Sequence, residues 1–353
     1  MKLIHTSDIH IDSPLTAKLS PTAARERKRE LVTSFRNTID DAVRMGALGI
    51  IIAGDLFDSE NVGRRTVDSI LGIIENASDI CFFYLPGNHE KNRIETVGLT
   101  LPENLKIFGE DWTYYKVDNL TIAGRSRITP DMFSTLTLYD TDVNVVVLHG
   151  VLDGGSEEER IPTKDIAQLP IDYLALGHYH SYSEMKISNR TSAVYCGTPE
   201  GRGFDETGEK GYVLIDIDGS FLDYRFVKHA QRTLHEVNVD ISSHLREIEI
   251  ENSVAEALSG IDRRDIVRVC LIGEREAELR VDTDSLTARF SSSYFYFEAK
   301  DKTRLKITPE SYKNDLSLKG EFIRLVMAKE DLTEDEKNAI IECGIRALAG
   351  ETV

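Results

Sequence analysis

The stretch Leu48-Gly49-Ile50-Ile51-Ile52-Ala53-Gly54-Asp55-Leu56-Phe57-Asp58 decides the fold. Its first part, Leu48–Ala53, is a continuous apolar run and predicts a buried strand. The polar cluster that follows opens at the carboxyl end of that strand. Working outward on the N-terminal side, residues 2–7 predict a short strand, and the polar stretch Ser7–Ser13 a loop. A helix is expected to begin near Ser20-Pro21, where Ser suits the N-cap and Pro the first helical position. Leu31, Phe35, Ile39, Ala42 and Val43 recur at helical spacing, and Gly46 stops the run. On the other side, Val62–Ala77 predicts a second amphipathic helix. Ile80–Leu85 predicts another buried strand, ended by Pro86-Gly87. Strand, helix, strand, helix, strand predicts a right-handed α/β unit with largely parallel strands.

From about residue 105 the pattern turns to strands. Candidates are 105–108, 113–117, 120–124, 143–148, 173–176, 183–187, 193–195, 212–217 and 221–226, enough for two packed sheets with helices outside. A second unit begins near residue 231. Strands are expected over 234–239, 266–272, 278–281 and 294–299, with helices over 242–259 and 285–290. The order β-α-β-β-α-β is a split βαβ pattern. Two helices, 318–330 and 333–348, close the chain, with Thr333 as N-cap and Gly350 as stop.

The 353 residues exceed the usual single-core size, in keeping with one large domain and a smaller one. Hydrophobic residues at 41% and charged residues at 29% exclude a mainly disordered chain. No apolar run is long enough to span a bilayer, and the first residues lack a signal-peptide pattern, so a cytoplasmic protein without a membrane partner is expected. Cys81, Cys196, Cys270 and Cys343 lie far apart, without metal-site or redox spacing, and read as reduced, mostly buried thiols. The net charge is −18, with 24 Lys and Arg against 35 Asp and Glu over residues 1–230. Such a chain does not coat a polyanion by bulk attraction; a local site or bound cations must hold it. Basic clusters are few. Arg25, Arg27, Lys28 and Arg29 alternate with Glu26 and Glu30 and read as a solvated helical face.

Five polar clusters carry the chemistry. They are Asp8-Ile9-His10, Gly54-Asp55-Leu56-Phe57-Asp58, Gly87-Asn88-His89-Glu90, His149-Gly150 and Gly177-His178-Tyr179-His180. Each follows an apolar run, and loops at the carboxyl ends of parallel strands gather at one edge of a sheet. Taken singly, each has a plain reading as a turn with a solvated side chain. Together they hold five of the nine histidines. Imidazole and carboxylate without thiolate suit Mn, Fe or Zn. Asp8, His10, Asp55, Asn88, His149, His178 and His180 are enough for two ions sharing one carboxylate. Two ions about 3.5–4 Å apart can share a hydroxide and clamp the attacking and leaving oxygens of a phosphoryl displacement. His5, inside the first strand, reads as a core histidine. His-x-His in a strand would point both rings to one face.

The order Asp-x-His, Gly-Asp-x-x-Asp, Gly-Asn-His-Glu, His-Gly, Gly-His-x-His resembles the calcineurin-like metallophosphoesterases. The opening His5-Thr6-Ser7-Asp8-Ile9-His10-Ile11-Asp12-Ser13-Pro14 is similar to that of SbcD-type and YhaO-type DNA repair exonucleases. Gly197-Thr198-Pro199-Glu200-Gly201-Arg202-Gly203-Phe204-Asp205-Glu206 resembles a later block of the YhaO-like branch. The resemblance covers about residues 1–228. It implies a four-layer αββα sandwich over 1–230 and a smaller C-terminal α+β capping domain over 231–353. It further implies that Asp8, His10 and His180 hold one metal, that Asn88, His149 and His178 hold the second, and that Asp55 bridges. His89 would face the scissile phosphate as the catalytic residue. Mn is the metal such nucleases prefer, with Fe or Zn as alternatives. Asp58 stands where archaeal and eukaryotic relatives carry a histidine; it would orient a ligand, or serve the turn. Arg202 is a candidate phosphate contact, or a surface arginine in a Gly-rich loop.

The function implied is a dinuclear-metal phosphodiesterase, a DNA repair exonuclease acting on ends or single strands. Its partner would be an SbcC-like coiled-coil ABC-type ATPase, since no Gly-x4-Gly-Lys-Ser/Thr loop occurs in this chain. A homodimer through the helix near 62–78 is a further expectation, and core packing explains its apolar face equally well. Two other readings stand beside this one. The same site could hydrolyse nucleotides or another small phosphoester, which the acidic balance favours. A scaffold subunit with a decayed site would lack a ligand or His89, and neither is missing.

Overall fold

A computed structural model describes residues 1–13, 15, 19–58, 62–87, 98–276, 279–306, 312 and 314–348. The chain divides into two units, Met1–Leu234 and His235–Val353. In chain order the first unit runs β1 (Lys2–Thr6), α1 (Pro21–Met45), β2 (Gly49–Ala53), α2 (Arg64–Asn76), β3 (Cys81–Leu85), β4 (Leu105–Ile107), β5 (Thr113–Val117), β6 (Leu120–Gly124) and β7 (Val143–His149). It continues with β8 (Val151–Leu152), β9 (Arg160–Ile161), α3 (Thr163–Ile166), β10 (Tyr173–Gly177), β11 (Ser183–Lys186), β12 (Ser192–Tyr195), β13 (Gly211–Asp218) and β14 (Phe221–Lys228).

Two six-stranded sheets form, ordered β14-β13-β1-β2-β3-β4 and β11-β12-β10-β7-β6-β5. In the first, β1 to β4 are mutually parallel, and β13 and β14 add antiparallel strands at one side. In the second, β6, β7, β10 and β12 are parallel, with β5 and β11 antiparallel at the edges. β2 and β3 are apolar throughout because both of their faces are covered. Ile50 and Ile52 turn to one core with Phe35, Ile39 and Ala42 of α1 and Val67, Ile70 and Ile74 of α2. Ile51 and Ala53 turn to the other, against Val145, Val147, Tyr173 and Ala175 of the second sheet. Burying each such isoleucine contributes about 1.5–3 kcal/mol. The apolar face of α2 is therefore occupied within the core.

α1 starts where Ser20 accepts a hydrogen bond from the Ala23 amide at 3.2 Å. It ends where Gly46, at φ +62°, returns its amide to Ala42 and Val43. The outer face of the second sheet is covered by Ile128, Met132, Phe133, Ile161, Ile166 and Ile171. Among the described residues this fourth layer is thin: a 3-10 turn over Met132–Thr135, the four-residue α3, and loops.

The basic stretch of α1 differs from its expected solvation. Arg27 is 1% exposed, and its guanidinium donates to Glu200 at 2.9 Å and to the Gly201 carbonyl at 2.6 Å. It also meets Glu30. A buried carboxylate on the 197–206 loop draws in this arginine and leaves Arg25, Lys28 and Arg29 outside.

The second unit contains β15 (Leu234–Asp240), α4 (Glu247–Ala257), β16 (Ile266–Ile272), β17 (Glu274–Arg275), α5 (Thr283–Phe290), β18 (Tyr296–Asp301), β19 (Arg304–Leu305), α6 (Leu318–Met327) and α7 (Glu334–Leu348). Its sheet has three strands, β15-β16-β18, with β16 and β18 parallel. Ile250, Val254 and Leu286 cover it. The expected strand at 278–281 is not formed over its described residues. Gly273, at φ +97°, turns the chain off β16, and the short β17 pairs with β19 as a separate ribbon. Leu279 instead enters the core from a loop, whose carbonyl the Arg275 guanidinium reaches at 2.9 Å. Gly350 lies outside the described residues. Among the described residues no helix is long and apolar enough to cross a membrane.

Candidate metal centre

The two sheets meet at the carboxyl ends of β1, β2, β7 and β10. His149 Nδ1 lies 3.0 Å from the Ala53 carbonyl, stitching β7 to β2. The loops leaving these strands turn at once, and the turns are strained. Asp8 (φ +50°), His10 (+49°), Asp55 (+51°) and His178 (+105°) all adopt positive φ without being glycine. Each such residue costs on the order of 1–3 kcal/mol, a strain that clusters at functional sites. Glycine is required where the walls close in. A Cβ on Gly87 would stand 2.0 Å from Asp55 Oδ1, and one on Gly54 2.0 Å from His149 Nδ1.

Asp8 is fully buried, and its carboxylate accepts from the Ser7 hydroxyl and from the His178 amide at 3.1 Å. Ser7 Oγ in turn lies 3.0 Å from the Sγ of buried Cys196. His10 has Nδ1 2.8 Å from Asp58 Oδ1, and its Nε2 points inward. His180 has Nδ1 2.7 Å from Glu206 Oε1, and its Nε2 lies 3.2 Å from that of His10. Asp55 Oδ2 is 3.8 Å from His10 Nε2 and 3.4 Å from His149 Nε2, so it stands between the two.

The protons can be assigned from these partners. Each of His10, His149 and His180 has its Nδ1 nearest an oxygen that only accepts; at His180 the Glu206 carboxylate, at 2.7 Å, stands closer than the Arg202 Nη2 at 3.1 Å. In the neutral rings Nδ1 then carries the hydrogen and Nε2 a lone pair. With the rings neutral, three nitrogen lone pairs and two carboxylates face one another with no donor among them. A cation answers that arrangement. The ligand atoms of Asp8, His10 and His180 all lie within 4.8 Å of one another, and so do those of Asp8, Asp55 and His149. The donor set fits two divalent ions of the borderline class.

The carboxylates draw positive charge into this cluster, as a proton on a ring or as a cation between the ligands. Burial works against a charged His149, yet Asp55 and then Asp8 outweigh it and carry its pKa up to about 9. Glu206 raises His180 against the pull of burial. Burial would lift the Glu206 carboxyl, but His180 and Arg202 hold it at about 2. Burial likewise opposes ionisation of Asp58, and its bond to His10, followed by Arg202, prevails to lower its pKa.

Among the expected ligands, Asp8, His10, Asp55, His149 and His180 come together. His178 and His180 follow β10 in a loop rather than a strand, and their rings part: His180 faces His10, whereas the His178 ring sits edge-on to His149 at 5.5 Å between centroids. His178 falls in neither group of ligand atoms. Asn88 and His89 lie outside the described residues. Asp58 lies against His10. Arg202 is not on the surface; its side chain is 12% exposed and bonded to Glu206, Asp58 and Ser13. His5 is buried and bonded to the Tyr173 hydroxyl at 2.9 Å. Reasoning from sequence missed Glu206, Ser7 and Cys196. The one available signal for Glu206 was its position four residues after Arg202.

A double-sheet α/β sandwich that gathers histidine and aspartate at its strand ends defines a metal-dependent phosphoesterase. The chain belongs to the calcineurin-like phosphoesterase family, whose model matches residues 1–182. It is 26% identical to the uncharacterized metallophosphoesterase YhaO of Bacillus subtilis over 69% of this chain and 64% of that protein. It is 27% identical to the DNA double-strand break repair protein Mre11 of Methanosarcina acetivorans over 63% of this chain and 38% of that protein. The match therefore spans less than two thirds of either relative. A dimetal phosphatase from Danio rerio superposes with a TM-score of 0.38 and 11% identity, over 61% of this chain and 91% of that one.

Proposed function

We propose that this chain is a dinuclear-metal phosphodiesterase that hydrolyses DNA from ends or in single strands. The observation that carries the reading is the convergence of three inward Nε2 atoms and the carboxylates of Asp8 and Asp55 on one centre. Asp8, His10 and His180 would hold one ion. His149, His178 and Asn88 would hold the other, with Asp55 shared. Two divalent ions, Mn foremost with Fe or Zn as alternatives, supply Lewis-acid stabilisation of the phosphate and lower the pKa of water. His89 would act on the scissile phosphate, stabilising the transition state or giving a proton to the leaving oxygen. The resemblance to repair nucleases supports DNA as substrate and an SbcC-like coiled-coil ATPase as partner.

The net charge of −18 favours a second reading, hydrolysis of a nucleotide or another small phosphoester. One experiment tests both. Purified protein with Mn is given single-stranded and double-stranded oligonucleotides and, separately, nucleoside phosphates. Cleavage of oligonucleotides that falls at least about 100-fold in His89→Ala, with Mn binding intact, supports the nuclease. Turnover confined to nucleotides supports the second reading, and full activity in His89→Ala removes His89 from the chemistry.

A further inference from the structure

Arg202 stands at the junction of two carboxylate–histidine pairs. Its Nη1 donates to Asp58 Oδ1 at 3.2 Å, and its Nε donates to Glu206 Oε1 at 3.0 Å. Its backbone amide also donates to Glu206 Oε2 at 2.7 Å. Asp58 Oδ1 lies 2.8 Å from His10 Nδ1, and Glu206 Oε1 lies 2.7 Å from His180 Nδ1. These two imidazoles lie on different loops, 170 residues apart in sequence, and present their Nε2 atoms to each other. One guanidinium thus fixes both acceptors that fix both rings. A further bond to Ser13 Oγ at 3.2 Å fastens it to the loop carrying His10.

The geometry points to Arg202 as a positioning residue: with Asp58 and Glu206 it sets the tautomer and aim of His10 and His180, and so tunes one of the two metal sites rather than binding substrate. This rests on the dinuclear reading above. The planar fork matters, because a single ammonium cannot hold two carboxylates at fixed angles. The Nη and Nε donors that a phosphate would need are already directed at protein atoms: oxygens of Glu206, Asp58 and Ser13, and the Nδ1 of His180 at 3.1 Å. His149 takes its orientation from the Ala53 carbonyl instead, so the site built on His149 stands apart from this clamp.

The test is Mn binding to the full chain, followed by the electron paramagnetic resonance of free Mn. Wild type is expected to bind two ions. Arg202→Met is expected to weaken one of them about 10–100-fold and leave the other unchanged, the usual effect of losing a partner behind a metal ligand. Arg202→Lys is expected to fall between, and Glu206→Gln, a near-isosteric change that guards against misfolding of the first variant, to weaken the same single site. Arg232→Met removes a guanidinium bonded to Glu26 and Glu30 and is expected to leave both sites alone. If Arg202→Met and Glu206→Gln bind both ions as wild type does while KM for oligonucleotides rises, Arg202 is a substrate contact and the inference is overturned. Equal weakening of both sites also overturns it, as a general structural effect. Failure of wild type to bind any pair of ions is a different result and removes the dinuclear reading itself.

Discussion

His5 shows how far a single residue can depart from its solution behaviour when the chain closes around it. It sits in β1 with no exposed surface, three positions before Asp8, and burial drives its pKa down to about 3 despite a backbone hydrogen bond at Leu176. In the unfolded chain the ring takes a proton near its ordinary value of 6.5. The unfolded state then binds the extra proton between those limits. Stability from this group is complete above about pH 6.5 and is lost as pH falls toward 3, at up to about 1.4 kcal/mol per pH unit. Urea midpoints measured at pH 7 and pH 5 are expected to fall less in His5→Gln than in wild type. Parallel slopes would show that His5 is not the group responsible. At this scale the sequence was readable where chemistry is concentrated in few residue types. Asp8, His10, Asp55, His149 and His180 stand out because five of the nine histidines fall in short polar clusters that follow apolar runs. Glu206 and Arg27 did not stand out, because carboxylates and guanidines are common and only distant partners give these two their roles.

The 197–206 loop is the element on which the first unit hinges most visibly. At one end Glu206 and Arg202 support the rings of the metal centre. In its middle Glu200, without exposed surface, accepts from Arg27 of α1 and from the amides of Gln231 at 2.7 Å and Arg232 at 3.3 Å. Burial raises the Glu200 pKa, with Arg27 working against it. Arg27→Met would leave that carboxyl buried without its cation. The expected cost is about 3–5 kcal/mol by urea denaturation, the usual result of breaking a buried ion pair from one side. A loss under about 1 kcal/mol would mean that the backbone amides alone suffice. The strands and helices were legible because β1, β2 and β3 lie between two cores and α1 carries clear caps. The region after β16 was not. Leu279 looks like part of a strand, yet its burial is achieved from a loop, and two-residue strands such as β17 leave no periodic trace.

Across the whole molecule the charge balance and the site pull together. A chain at −18 does not attract a polyanion through its net charge, and its candidate centre adds buried carboxylates that repel one another until cations arrive. Ion binding should therefore stabilise the fold as well as enable chemistry. Mn at about a hundred times its dissociation constant adds about 2.7 kcal/mol per site. For a unit of this size that is roughly 5–10 °C in melting temperature for each site, and about twice that between EDTA-treated and fully Mn-loaded protein. Calorimetry with and without Mn checks this, and identical melting curves would argue against any resident ion. The buried thiol behind the centre offers a way to watch it. Cys196 touches Ser7, which holds Asp8, and burial raises its pKa, whereas Cys343 is exposed and Cys81 half-buried. Alkylation of Cys196 consequently requires the wall beneath Asp8 to part. Its labelling rate becomes a clock for how often that wall breathes, and a metal-filled centre would slow the clock.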